Sequence, residues 1–123
     1  MPRILLIDDD ENVRTVLALT LKSKGYEVIQ AENGRVGVRK FRESPTDLVI
    51  TDLIMPEKEG LETIQDIRRE FPGTRIIAMS GGSPNMRFDF LQIAQAMGAL
   101  RTLQKPFTME EFISNVREVL GES

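Results

Sequence analysis

The amino-acid sequence predicts an α/β domain built on a doubly wound, five-stranded parallel sheet. Short apolar runs recur at Ile4 to Ile7, Tyr26 to Ile29, Leu48 to Ile50, Ile76 to Met79 and Leu100 to Leu103. Strands covered on both faces read as continuous apolar runs rather than alternating ones. The stretches between them carry helical spacing, and that alternation of strand with helix is the pattern of a parallel sheet. A length of 123 residues with 41% hydrophobic content suits one domain with one core, expected to occupy residues 1–123.

The first helix is expected to bury Val13, Val16, Leu17 and Leu21 and to stop at Gly25. A second runs from Gly34 to Arg42, where Arg35, Arg39, Lys40 and Arg42 form a solvated face. The third places Leu61, Ile64, Ile67 and Phe71 on one side and ends at Pro72-Gly73. Ser83-Pro84 looks like a cap followed by a first-turn proline, opening a fourth helix from Pro84 to Met97. The last begins with Thr108 and Glu111 in capping-box spacing and buries Phe112, Ile113, Val116, Val119 and Leu120.

Composition narrows the chemistry. Sixteen Lys and Arg against nineteen Asp and Glu give a net charge of -3, with no long run of either sign, so direct nucleic-acid binding is not expected. With no Cys and no His, the chain has no disulfide, no thiolate or imidazole metal site, and no histidine of its own to act as base or phosphoryl carrier. Carboxylates, lysines, hydroxyls and a hard cation remain. The opening MPRILLIDDD has neither the shape of a signal peptide nor the length of a membrane span, so a soluble cytoplasmic protein without membrane contact is expected.

Asp8, Asp9 and Asp10 follow the first apolar run and Asp52 follows the third, at the strand ends where α/β sheets bind ligands. With strand order 2-1-3-4-5, strands one and three are neighbours, and Asp8, Asp9 and Asp52 share one crevice. Two unit charges about 4 Å apart interact by roughly 4 kcal/mol at an effective dielectric near 20. Such a cluster must hold a proton or recruit a cation, and a donor set of oxygens alone favours Mg2+ over zinc. Asp10 has two readings, a member of the cluster or a cap of the first helix. Ser80 ends the fourth strand and Lys105 ends the fifth, bringing a hydroxyl and a cation to the same edge. A carboxylate nucleophile, a divalent ion, a lysine and a hydroxyl together are the parts of a phosphoryl-transfer site.

On these residues the sequence resembles response-regulator receiver domains over essentially its whole length. The resemblance rests on ILLIDDDE at 4 to 11, DLVITDLIMP at 47 to 56 with Gly60 following, IIAMSG at 76 to 81 and LQKPF at 103 to 107. It implies the flavodoxin-like, CheY-like (βα)5 three-layer sandwich. It also implies Asp52 as phosphoryl acceptor, Asp9, Asp52 and the Ile54 main-chain carbonyl as Mg2+ ligands, and Asp8 as a ligand through water. Ser80 and Lys105 then contact the phosphoryl group, and the Lys105–Pro106 peptide is cis. The implied donor is a sensor histidine kinase or a histidine phosphotransfer protein. The implied output is a downstream protein met by the face of helix four, strand five and helix five, with a homodimer as a further option. Phe90, Leu91, Met97 and Met109 are either apolar contacts on that face or ordinary core.

Two positions depart from the family. Thr102 stands where many members carry a Tyr or Phe that turns inward on activation. Ile54, two residues after Asp52, is apolar and offers nothing to orient an attacking water, so slow self-hydrolysis of the acyl phosphate is expected. The competing readings are a haloacid-dehalogenase-type phosphatase with Asp8 as nucleophile and Asp10 as its second acid, a flavin-binding flavodoxin, and a receiver that docks without phosphorylation. Beyond turning over its own aspartyl phosphate, the chain is not expected to be an enzyme.

Overall fold

A computed structural model of the chain describes residues 1–53, 60–81 and 92–122. Its strands are β1 (Arg3–Ile7), β2 (Glu27–Ala31), β3 (Leu48–Asp52), β4 (Arg75–Ser80) and β5 (Arg101–Gln104). All pair in parallel, in the order β2-β1-β3-β4-β5 that the sequence implied. The helices are α1 (Glu11–Ser23), α2 (Gly34–Glu43), α3 (Gly60–Glu70) and α5 (Met109–Leu120), and the helical residues 92–96 are labelled α4. The rest of the stretch expected as the fourth helix, from Pro84 to 91, lies outside the described residues.

Side chains on a strand alternate between faces, and the two cores divide accordingly. Ile4 and Leu6 of β1 pack with Leu17 and Leu21 of α1 and with Phe112, Ile113 and Val116 of α5. Leu5 and Ile7 turn the other way, toward Val38 and Phe41 of α2, Ile64 and Ile67 of α3 and Ala94 of α4. Both faces of the central strands are therefore closed to water, while the strand ends remain available.

Three local expectations shift. Tyr26 lies before β2 rather than in it, because its N–H still donates to the Leu21 carbonyl in the turn that closes α1. Its hydroxyl donates to Glu122 Oε1 at 2.5 Å, tying the start of β2 to the residues after α5. Val16, expected in the core, is 52% exposed. The buried stripe of α1 runs through Leu17, Ala18 and Leu21, and Val16, one turn after the half-buried Val13, lies at its solvent margin. Leu100 precedes β5 and is 48% exposed at the edge of the sheet.

Candidate functional site

Because the sheet is parallel, every strand delivers its carboxyl end to one edge. Ile7 and Thr51 are in register across β1 and β3, so the next residues, Asp8 and Asp52, leave the sheet side by side. Asp8 and Asp52 are buried, Asp9 is exposed, and carboxylate oxygens of all three lie within 4.8 Å of one another. Lys105, directly after β5, sends its Nζ to Asp8 Oδ2 at 2.9 Å and to Asp52 Oδ2 at 3.2 Å. Its aliphatic stem passes Gly81. Burial alone works against the ammonium, but the Asp52 carboxylate and then Asp8 outweigh it, and the Lys105 pKa stands above the ordinary lysine value.

Main-chain contacts hold this arrangement. Asp8 Oδ1 accepts from the Asp10 N–H at 2.9 Å, while the Asp8 N–H donates to the Ala31 carbonyl of β2 at 3.2 Å. The Asp8 carbonyl accepts from Arg14 Nη1 of α1 at 2.7 Å. The buried Thr51 hydroxyl donates to the Asp52 carbonyl at 3.0 Å. Gly60, at the start of α3, donates its N–H to the Leu53 carbonyl at 3.0 Å, and a Cβ there would collide with the Asp52 carbonyl oxygen and Leu53 Cα. Close approach of α3 to the end of β3 thus requires glycine at position 60.

Ser80 is fully buried at the end of β4, and its main-chain carbonyl accepts from the Lys105 N–H at 2.8 Å, joining the ends of β4 and β5. Its hydroxyl donates to the Gly81 carbonyl at 3.2 Å. The Lys105–Pro106 peptide is cis. Asp10 takes the capping role: its Oδ1 accepts from the N–H groups of Asn12 and Val13 at 3.0 and 3.2 Å. Ile54 lies outside the described residues.

The description "Response regulator receiver domain" matches residues 4–117 of this sequence. The chain belongs to that family. It is 33% identical over 121 residues to the chemotaxis protein CheY of Bacillus subtilis, covering 97% of this chain and 98% of that one. It is 37% identical over 120 residues to the DNA-binding transcriptional regulator NtrC of Azospirillum brasilense, covering 98% of this chain but only 24% of that protein. The chain thus spans about a quarter of NtrC and of the transcriptional regulatory protein GlrR of Escherichia coli, and nearly the whole of CheY. Among solved structures, the response regulator protein TrrA from Thermotoga maritima, in complex with Mg(2+)-BeF, superposes with a TM-score of 0.85 at 34% identity, covering 97% of this chain and 99% of that one.

As a receiver domain of the two-component type, the chain is a CheY-like signal-transduction module. The phosphatase alternative is not favoured. Its second acid, Asp10, is spent on the α1 cap, and both carboxylate oxygens of Asp8 are engaged in a fully buried position. Among the described residues, no helix is long and apolar enough to cross a membrane. Met97 and Met109 pack against the two cores, while Phe90 and Leu91 lie outside the described residues.

Three residues of the site environment were not singled out from sequence: Arg14, Gln30 and Thr51. Arg14 and Thr51 each bond to a main-chain carbonyl, and such contacts leave no residue-pair pattern in a sequence. Gln30 of β2 accepts from Arg14 Nε through its side chain at 3.2 Å and from Lys40 Nζ through its carbonyl at 2.6 Å.

Proposed function

We propose that Asp52 accepts a phosphoryl group from a phosphohistidine of a sensor histidine kinase or histidine phosphotransfer protein, within one receiver domain occupying residues 1–123. The observation that carries this reading is the position of Asp52, 3.2 Å from Lys105 Nζ and grouped with Asp8 and Asp9. A carboxylate oxygen of Asp52 attacks phosphorus, the phosphorus–nitrogen bond to the imidazole breaks, and the histidine leaves on the partner. Lys105 moves its charge from the Asp52 carboxylate to the phosphoryl oxygens, and the Ser80 hydroxyl turns from the Gly81 carbonyl to donate to another of them.

The donor set fits Mg2+. Three carboxylates and one ammonium leave two negative charges (3 - 1 = 2), which a dication balances. Oxygens bound directly to one Mg2+ stand at most about 4 Å apart, close to the 4.8 Å spread of the cluster, with Asp8 joined through water. Asp9 and Asp52 would hold the ion directly, together with the main-chain carbonyl of Ile54, a residue outside the described ones. When bound, the ion supplies positive charge against the oxygens of the transferred group.

Phosphorylation draws Lys105 and Ser80, at the ends of β5 and β4, toward Asp52. The packing of α4, β5 and α5 follows, and a downstream protein reads that face. Ile93 of α4 and Leu100 ahead of β5, 46% and 48% exposed, supply apolar contact there. Thr102 is half-buried on β5 opposite Ala78, so the switch operates without an aromatic ring at this position. The domain acts in the cytoplasm through protein contacts, without binding nucleic acid or membrane itself, and turns over only its own acyl phosphate.

Intact mass after incubation with Mg2+ and a small phosphodonor tests the acceptor. An adduct of one phosphoryl group is expected on the wild type and not on Asp52→Ala. Equal modification of both proteins, or of neither, would contradict the assignment.

A further inference from the structure

We infer that Arg14 is a positioning residue for the divalent-cation site, setting the direction in which Asp9 presents its carboxylate. The inference rests on the metal reading of Asp8, Asp9 and Asp52 given above. Arg14 does not touch any of the three carboxylates in the contacts described. Its Nη1 donates to the Asp8 carbonyl at 2.7 Å, and its Nε donates to Gln30 Oε1 at 3.2 Å. The guanidinium thus spans from the end of β1 to the side chain of a β2 residue, and its planar fork allows both bonds at once.

The Asp8 carbonyl is half of the Asp8–Asp9 peptide unit. That unit is planar and stiff, so fixing its oxygen fixes the plane from which the Asp9 Cα departs. On the other side of Asp8, its N–H is held by the Ala31 carbonyl at 3.2 Å, and the Asp8 side chain is held by the Asp10 N–H and Lys105. Asp8 is therefore anchored at its N–H, carbonyl and carboxylate, whereas Asp9 is exposed. An exposed ligand depends on its backbone for direction: Arg14 holds the peptide that precedes Asp9, and Asp8 Oδ1 holds the Asp10 N–H of the peptide that follows it. The remaining anchors come from α1 itself: the Arg14 N–H donates to the Asp10 carbonyl at 2.9 Å, within the first turn that Asp10 caps. Lys40 of α2, bonded to the Gln30 carbonyl at 2.6 Å, secures the strand residue on which the guanidinium leans.

Position and charge make opposite demands on the outcome. A guanidinium beside a dication repels it, so if Arg14 acted through charge alone, neutralising it would tighten Mg2+ binding. If it acts by orientation, neutralising it weakens binding even though repulsion is relieved. The experiment is calorimetric titration of the purified chain with MgCl2, alongside thermal unfolding without metal, for wild type, Arg14→Met, Gln30→Leu and Asp9→Asn. Arg14→Met is expected to weaken Mg2+ binding about tenfold, as loss of an outer-shell partner does, in a protein that still unfolds cooperatively. Gln30→Leu keeps the charge and removes one anchor, and is expected to weaken binding by a smaller factor in the same direction. Unchanged or tighter binding in Arg14→Met, with Asp9→Asn weakened, overturns the inference and leaves the metal site standing. Unaltered affinity in Asp9→Asn overturns the metal reading and the inference with it. Should Arg14→Met fail to fold, Gln30→Leu decides: weaker binding supports the positioning role, and unchanged affinity refutes it.

Discussion

Lys105 is the residue on which the electrostatics of the site turns, since its ammonium is shared between the carboxylates of Asp8 and Asp52. Removing one partner of a buried ion pair costs about 3 to 5 kcal/mol. The Lys105 side chain keeps 22% of its exposure, so Lys105→Met is expected to cost less, about 2 kcal/mol, when unfolding is measured in chelator. Mg2+ should recover more stability in that variant than in wild type, because the cluster then lacks its own cation. Equal gains in both proteins would mean that Lys105 and the metal act on separate charges. Asp8, Asp9, Asp52, Ser80 and Lys105 were legible in the sequence because each stands within two residues of the end of an apolar run, and strand ends of a parallel sheet share an edge. The choice between cluster and cap for Asp10 was not legible, since an aspartate ahead of a helix satisfies both patterns. Only the bonds from Asn12 and Val13 decide it.

At the scale of elements, the junction of β3 with α3 and the clasp between β2 and the end of α5 invite direct tests. A side chain at position 60 meets main-chain atoms, which cannot swing aside, whereas at Gly37 it meets the end of the Ile7 side chain, which can. Gly60→Ala is therefore expected to destabilise by about 3 kcal/mol and Gly37→Ala by about 1 kcal/mol in denaturant unfolding. A reversed order would displace Gly60 from its assigned place against Asp52. Tyr26 is the one tyrosine of a chain without tryptophan, so phenolate absorbance reports it alone. Burial, and then the hydrogen bond to Glu122, raise its pKa above the ordinary value. The native state thus holds the phenol proton more tightly than the unfolded state. The associated stability is complete below about pH 10, the unfolded value, and is lost as pH rises through the folded value. Absorbance titration should give a higher midpoint in native than in denatured protein, and Tyr26→Phe should remove that part of the alkaline loss. Coincident midpoints would dissolve the clasp. Sequence periodicity located these elements but not their edges: the strand expected from Tyr26 begins at Glu27, because hydropathy does not register that the Tyr26 N–H is still bonded to Leu21.

The whole molecule is two apolar layers of helices closed over one sheet, with the polar residues that matter gathered at the sheet's carboxyl edge. This much followed from the five apolar runs, since a parallel sheet covered on both faces leaves its edges for chemistry. The strand order was a premise rather than a reading of the apolar runs: with β1 and β3 as neighbours Asp8 and Asp52 meet, and the sheet has that order. Less was legible around residues 92–100, where apolar Ile93 and Leu100 are 46% and 48% exposed although their type alone suggests core. With an apolar Ile54 two residues after the proposed acceptor, the acyl phosphate is expected to last well beyond seconds in the purified protein, with loss of the mass adduct after the phosphodonor is removed; decay within seconds would show that another group orients the water. That persistence also makes the acceptor accessible to chemical trapping. Borohydride reduces an aspartyl phosphate to homoserine, so peptide mass spectrometry of the phosphorylated and reduced chain locates the acceptor by residue. Homoserine at position 52 is the expected result, and homoserine at position 8 or 9 with Asp52 unaltered would contradict the proposed chemistry.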